Sequence, residues 1–450
     1  MVRVTDMTHG RPIRLILLFS LPLMLGSVFQ QLYTIVDTII IGRGVGMQAL
    51  ASIGAADWIN WLVLWGLQGF TQGFAILAAQ EFGAGAYDRL RRVLAMIVKL
   101  SCWFGIAVTI ISLLLVRPLL TLLHTDPAVF GGAQTYLYVQ FGGSLIIIAY
   151  NMAAAVLRCL GDSRTPLFAI IAASFANIAL DLLFVMGFGW GIFGASFVTV
   201  LAQLIAFLLC LRSLRRLPFV QLTKADWKTD PAILLHLCRL GIPTGLQMSM
   251  ITLGGMVLQS VLNGFGVVFV AGYTAANKLY GILESASVAF GYAMTAYMGQ
   301  NRGARNAVRI DAGIRAVLVL SAEFTAAIVT AMLLAGKPLL GLFLSTEEAG
   351  AADALAVAYQ YLMVLMAFLF ALFMLQAYRS SLQGLGEMTV PTLSGFAEML
   401  MRMGAALVLP TFIGQSGVFF AEGAAWVCAA ALNLVWYYMR IGKIKRGMLK

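Results

Sequence analysis

Charge is what this sequence has least of. Acidic and basic residues together make up 11% of its 450 residues, against roughly 25% in an ordinary soluble domain. With 61% hydrophobic residues and a mean hydropathy of +0.91, a water-soluble globular chain is excluded. Histidine is also scarce: His9, His124 and His236 stand alone near the ends of apolar runs, leaving no His pair for a metal or for acid-base catalysis. Cys102, Cys159, Cys210, Cys238 and Cys428 are scattered, without a CxxC, and read as small buried apolar residues rather than disulfides or ligands. No Gly-containing loop, GQNRGARNAVR included, has the GxxxxGK[ST] spacing of a phosphate loop, which argues against ATP as the energy source. No DDxxD-like cluster appears, as a prenyl or glycosyl transferase using metal-diphosphate chemistry would need. The absences point away from an enzyme and from any cofactor.

What is present is apolar length. A membrane-crossing helix needs about 20 mainly apolar residues, and twelve such segments lie at 13–41, 48–78, 93–116, 134–157, 165–188, 191–212, 237–263, 267–297, 310–335, 354–380, 389–412 and 417–439. The fold class is therefore an all-α polytopic membrane protein. The N-terminal MVRVTDMTHGRPIRLILLFSLPL lacks a small-residue cleavage site, and its apolar run continues past Asp37, so it reads as the first span rather than a signal peptide. Of 30 Lys and Arg, 25 fall on one side if the N-terminus is inside; Arg43, Arg117 and Lys337 fall outside, and Lys278 and Arg402 inside spans. The positive-inside rule then puts both termini in the cytoplasm and the protein in the cytoplasmic (inner) membrane. The net charge of +11 is thus a topology signal rather than a sign of nucleic acid, and the C-terminal RIGKIKRGMLK suits anionic membrane lipid.

The chain also repeats itself. AQEFGAG (79–85) returns as GQNRGAR (299–305) and RPLLTLL (117–123) as KPLLGLF (337–343), both 220 residues on. LRCLGDSRTP (157–166) returns as LQGLGEMTVP (382–391) after 225, and Pro22 and Pro243 are 221 apart. The repeat predicts two six-helix lobes, residues 1–222 and 223–450, joined by the polar linker RSLRRLPFVQLTKADWKTDP. Six spans per lobe is an even number, so the lobes enter the membrane in the same sense, related by a parallel repeat with a central cleft between them. A duplicated chain of this kind is sufficient as a monomer.

Pro22, then Gln31 and Tyr33 before Val36-Asp37-Thr38, then Gly42, resemble the first helix of the multidrug and toxic compound extrusion (MATE) transporters. AQEFGAG and LGDSRTP, with their echoes, also resemble that family, over essentially the whole chain. The resemblance implies a secondary antiporter that extrudes amphiphilic, cationic drugs or metabolites in exchange for protons or sodium ions.

Asp37 lies in one of the most apolar runs, where an ionised carboxylate costs on the order of 3 kcal/mol. Rise along the helix puts Asp37 roughly 6 Å, Asp181 roughly 10 Å and Thr199 roughly 12 Å below the outer ends of their spans. Asn177 precedes Asp181 by one turn on the same face. Two carboxylates, a carboxamide and a hydroxyl form an all-oxygen set for a hard cation or a shared proton. Asp37, Asn177, Asp181 and Thr199 also match the positions that form the N-lobe cation site in part of the MATE family, and would be sodium ligands if coupling is to Na⁺. The repeat offsets place Leu258 and Ala406 opposite Asp37 and Asp181, so acids in one copy only are not a requirement of the fold. Coupling is expected through the N-lobe alone, with Pro22, which lacks a backbone donor, as the bending point of the first span.

Further polar groups lie within spans. Glu398 and Arg402 are spaced i, i+4 and should neutralise each other. Lys278 and Glu284 lie deep in the eighth span, which borders the cleft in the MATE family, and join Asp57, Trp61 and Trp65 as candidate substrate contacts. Trp58, Trp61 and Trp65 form one stripe beside Asp57, a surface suited to flat lipophilic cations or, equally, to lipid. The alternative function is a flippase for a lipid-linked saccharide, whose cleft should be strongly basic.

Overall fold

In lipid, backbone N–H and C=O groups must be satisfied within the chain, so the apolar segments have helix as their one simple solution. The computed structural model describes residues 4–343 and 350–449, and all twelve apolar segments are helical in it. In chain order the helices are α1 (Pro12–Gly44), α2 (Met47–Gly83), α3 (Tyr87–Leu122), α4 (Pro127–Gly142), α5 (Ser144–Cys159), α6 (Arg164–Asp181) and α7 (Gly191–Arg215). They continue with α8 (Pro231–Asn263), α9 (Val267–Gly303), α10 (Ala307–Gly341), α11 (Ala351–Gly384), α12 (Thr389–Ile413) and α13 (Phe420–Leu449). Among the described residues ten helices are long and apolar enough to cross a membrane, and the bent pair α4–α5 makes an eleventh span. The remaining expected span, α9, matches α2 in length at 37 residues but falls short in apolarity, interrupted by Asn277, Lys278, Glu284, Ser285 and Ser287.

Two spans depart from straight rods. The segment 134–157 is two helices meeting at a 50° bend around Gly143. A Cβ at Gly143 would sit 2.5 Å from both γ-methyls of Val200, so the break lets α7 approach the backbone there. The segment 165–188 changes from α-helix to a π-helical turn, Leu182–Gly187, directly after Asp181. Such turns aim side chains in ways that a regular helix cannot, and they recur at functional sites.

The chain divides into two compact units, Met1–Asp6 with Pro22–Gly245, and Met7–Leu21 with Leu246–Lys450. These bounds differ from a cut at 222/223, because each unit takes in the start of the other's first helix. The crossovers fall at the two repeat-related prolines: between Leu21 and Pro22 in α1, and two residues after Pro243 in α8.

The repeated loops anchor the N-terminal segment. In the first unit the Thr5 N–H donates to the Gly161 carbonyl at 3.1 Å. Gly161 has φ +90°, and a Cβ there would lie 2.1 Å from the Thr5 carbonyl oxygen, so only glycine fits. In the second unit the Met7 N–H donates to Gln300 Oε1 at 2.8 Å, while Asn301 Nδ2 and Arg309 Nη2 donate to the Met7 carbonyl at 3.1 and 2.9 Å. The linker is held within the first unit. Lys99 Nζ donates to the Trp227 carbonyl at 2.6 Å and pairs with Thr229 Oγ1 at 2.8 Å, and Arg91 Nε lies 3.6 Å from Asp226 Oδ2.

Candidate cation site

The four residues expected to form a cation site all lie in the first unit, on three helices. Helical spacing explains how each helix contributes. On α1, Gln30, Tyr33 and Asp37 repeat at three and four residues and share one stripe. On α6, Ser174, Asn177 and Asp181 do the same, and on α7 Thr199 and Gln203 are one turn apart. Gln30, Tyr33, Ser174, Asn177, Thr199 and Gln203 line a partly open pocket, together with Tyr150, Ile170 and three alanines.

The site is unusual in how little of its polarity is satisfied. Asp181 is 0% and Asn177 1% exposed, yet among the described residues no N–H or hydroxyl donates to either carboxylate oxygen of Asp181, and neither amide atom of Asn177 has a hydrogen-bond partner. Asp37 Oδ1 and Gln203 Oε1 are likewise unpartnered. The Thr199 hydroxyl donates to the Ala195 carbonyl at 3.1 Å, which leaves its oxygen able to accept or to coordinate. The Asp37 and Asp181 carboxyls lie close enough to hydrogen-bond to each other when one of them is protonated, and Tyr33 interacts electrostatically with both. Buried polar groups are nearly always paired in folded proteins. Two like charges with unfilled acceptor capacity are balanced most simply by a bound proton or a small hard cation. Among the described residues no three His, Cys, Asp or Glu side chains gather as a metal site; these oxygens come from two acids, an amide and a hydroxyl, a donor set for a monovalent ion.

Asp57 on α2 joins this constellation. It interacts with Asp37, and both act on Tyr136 of α4, whose hydroxyl receives Asn60 Nδ2 at 3.4 Å. Trp58 and Trp61 pack edge to face at 5.3 Å, while Trp61 and Trp65 are 43% and 44% exposed. Lys278 and Glu284 lie in the second unit: Lys278 is exposed, and Glu284 interacts with Tyr280, Glu422 and Arg402. Sequence reasoning missed Gln203, Ser174, Gln30 and Tyr136. The first two were signalled by one-turn spacing from Thr199 and Asn177, whereas nothing in the sequence pointed Tyr136 at Asp57.

The second unit is polar in a different way. Arg402 Nε and Nη2 donate to Glu422 Oε2 at 3.0 and 2.7 Å, and Arg402 Nη2 also reaches Glu398 Oε1 at 3.1 Å. Arg402 Nη1 donates to the Ile251 carbonyl of α8 at 3.0 Å. Glu398 Oε2 is bound in turn by Arg379 Nη2 of α11 at 2.5 Å. The expected Glu398–Arg402 pair is thus half of a four-residue network. Arg379, counted by sequence among the basic residues at the membrane face, is a 3% exposed member of it.

Comparison with known proteins fits this architecture. The family model for MatE matches twice, over residues 22–183 and 243–408, one match in each half of the repeat. The chain is 31% identical to the "Probable multidrug resistance protein YpnP" of Bacillus subtilis, over 99% of this chain and 98% of that one. Its fold superposes with a TM-score of 0.90 on the outward-facing conformation of a multidrug resistance MATE family transporter, at 24% identity and with 99% of each chain covered. It superposes with a TM-score of 0.91 on a MOP superfamily transporter from Pyrococcus furiosus, described as having a binding pocket of reversed polarity that suggests a different function, again at 24% identity. Two family matches in tandem, a relative aligned end to end and a shared all-helical fold place this chain in the MatE family of multidrug efflux transporters, and not among enzymes.

Proposed function

We propose that this transporter is a secondary antiporter that exports amphiphilic cations in exchange for protons or sodium ions, coupled through Asp37, Asn177, Asp181 and Thr199. The observation that carries the reading is the unpartnered state of the buried Asp181 and Asn177 side chains beside Asp37. A site in that condition gains more from a cation than from water alone, and neutralising it removes the repulsion between α1 and α6. Relief of that repulsion would repack α1 about Pro22, which sits inside α1 without a donor for its ladder. The repacking alters access to the substrate path. The two six-helix lobes, 1–222 and 223–450, are the moving bodies in this scheme, with both termini in the cytoplasm and a single chain as the working unit.

A negative-inside membrane potential favours cation entry by about 2.3 kcal/mol per charge per 100 mV, so import of two charges for each exported monovalent cation drives substantial accumulation against a gradient. Asp57 with Trp61 and Trp65 in the first unit, and Glu284 with Lys278 in the second, are the substrate contacts of the proposal. The acids attract positive charge, the indoles offer flat faces, and Lys278 disfavours dications. The test is efflux of ethidium from proteoliposomes under an imposed proton or sodium gradient. Wild-type efflux under one gradient, lost in Asp37→Asn with ethidium binding retained, supports the coupling site and names the ion. Undiminished efflux in the variant rejects it.

A further inference from the structure

The two halves of the chain treat one equivalent position in opposite ways. The offset of 225 residues that carries LRCLGDSRTP onto LQGLGEMTVP carries Asn177 onto Arg402, Ala173 onto Glu398 and Tyr136 onto Tyr361. The offset of 221 between Pro22 and Pro243 carries Gln30 onto Ile251 and Tyr33 onto Gly254. GIFGA at 191–195 reappears as GVFFA at 417–421, an offset of 226, which carries Ser196 onto Glu422.

Each substitution makes room for a positive charge or surrounds it. Where the first half has the cavity-lining Asn177, the second has the Arg402 guanidinium. Where the first half has the bulk of Tyr33, the second has Gly254, whose Cβ position lies 3.5 Å from Arg402 Nη1; a tyrosine there would collide with it. Where the first half has small Ala173 and Ser196, the second has Glu398 and Glu422, both ion-paired to Arg402 at 3.1 and 2.7 Å. The Ile251 carbonyl, at the position equivalent to the cavity residue Gln30, accepts the fourth hydrogen bond of the guanidinium. The acids that the first half places at Asp37 and Asp181 are replaced by Leu258 and Ala406. Arg379 neutralises the remaining charge of Glu398, so two arginines balance two glutamates in a region where all of them are shielded from solvent. Tyr280 and Glu284 of α9 face the same guanidinium.

We propose that the Arg402 guanidinium is a built-in cation, occupying in the second half of the chain the place that the first half leaves open for an exchangeable one. The inference rests on reading Asp37, Asn177, Asp181 and Thr199 as a cation site. It makes the second half a permanently loaded copy: its cage holds a cation that never leaves, so cation exchange falls to the first half alone.

A cage built around a tethered guanidinium should accept a free one when the tether is cut. The purified full-length Arg402→Ala variant is heated in detergent with millimolar guanidinium chloride, and with choline chloride at the same ionic strength as the control. A ligand that binds only the folded state raises the unfolding temperature. The expected result is that guanidinium restores at least half of the midpoint lost in Arg402→Ala and leaves the wild type unmoved. An equal response in both proteins, or none in the variant, overturns the proposal. If Arg402→Ala does not yield folded protein, Arg402→Ala combined with Glu422→Gln decides. Recovery of folded protein, with no guanidinium response, shows that the missing charge was the defect and supports the cage; continued failure shows a packing defect and contradicts it. This readout does not involve the first-half cavity. Failure of that reading would appear separately, as gradient-driven efflux that survives Asp37→Asn.

Discussion

Asn177 and Asp181 stand one turn apart on α6, both buried; among the described residues the Asn177 amide meets no hydrogen-bond partner and the Asp181 carboxyl faces only the carboxyl of Asp37. A pair in this state is expected where the missing partner arrives from outside the protein. It also sets the direction of the mutational effects.

Asp181→Asn removes a buried charge that no protein donor balances. Gradient-driven efflux should fall to the passive leak, a loss of about tenfold or more. The unfolding midpoint in detergent should hold or rise, because a desolvated charge is no longer carried. Proteoliposome flux and a thermal scan of the same preparation check both. A lowered midpoint with intact flux would mean that Asp181 is a structural residue.

Tyr33→Phe and Gln203→Leu alter the cavity wall without removing an acid. Each should weaken the apparent affinity for the coupling ion by about threefold to thirtyfold, on the order of 1–2 kcal/mol for one lost polar contact. Maximal efflux at saturating gradient should be preserved. Titration of efflux against external pH or sodium concentration separates the two effects.

Arg379→Met breaks the buried network from the other end, leaving Glu398 to share Arg402 with Glu422. Removing one partner of a buried ion pair costs about 3–5 kcal/mol, so the variant should unfold well below the wild type. Arg379→Met combined with Glu398→Leu should recover most of the loss, since no unpaired charge remains. The two midpoints measured side by side check this.

The linker gives a pH prediction outside the spans. Burial alone would raise the Asp226 carboxyl, but the Thr223 N–H and hydroxyl, each at 2.7 Å, and the Arg91 and Arg92 guanidiniums outweigh it and hold the group below the usual carboxylate range. A group lowered on folding contributes stability above its unfolded pKa, near 3.9, and that contribution is lost as pH falls through the lower folded value. Protection of the 223–229 amides against hydrogen exchange should therefore be flat from neutral pH to about 5, and fall only in stronger acid. In Asp226→Asn it should be reduced at neutral pH, and the difference from the wild type should shrink as the wild-type carboxyl protonates in stronger acid.

The cation site was legible because a helix converts residue number into depth and face. Asp37, Asn177, Asp181 and Thr199 could be assigned to one stratum before any packing was known. Azimuth between helices has no such code, so the electrostatic influence of Asp37 on Asp57, and of both on Tyr136, appears only in the folded structure. Hydropathy reports whether a segment is apolar and not whether its backbone is continuous. The 50° break at Gly143 was therefore hidden within 134–157, although the run Gly142-Gly143-Ser144 marked a weak point. Arg379 was misplaced for a related reason: one basic residue near the end of a 34-residue helix reads as a membrane-face anchor until a partner such as Glu398 is seen to hold it inside.

The central claim is that a cation binds at the Asp37–Asp181 pair and is displaced in the transport cycle. The most direct measurement is cation release from purified protein on adding ethidium, read as protons in weakly buffered medium and as radioactive sodium in equilibrium dialysis. Wild type and Asp37→Asn combined with Asp181→Asn are compared. The account predicts that one of the two cations is released from wild type and neither from the double variant. Equal release from both proteins would contradict it.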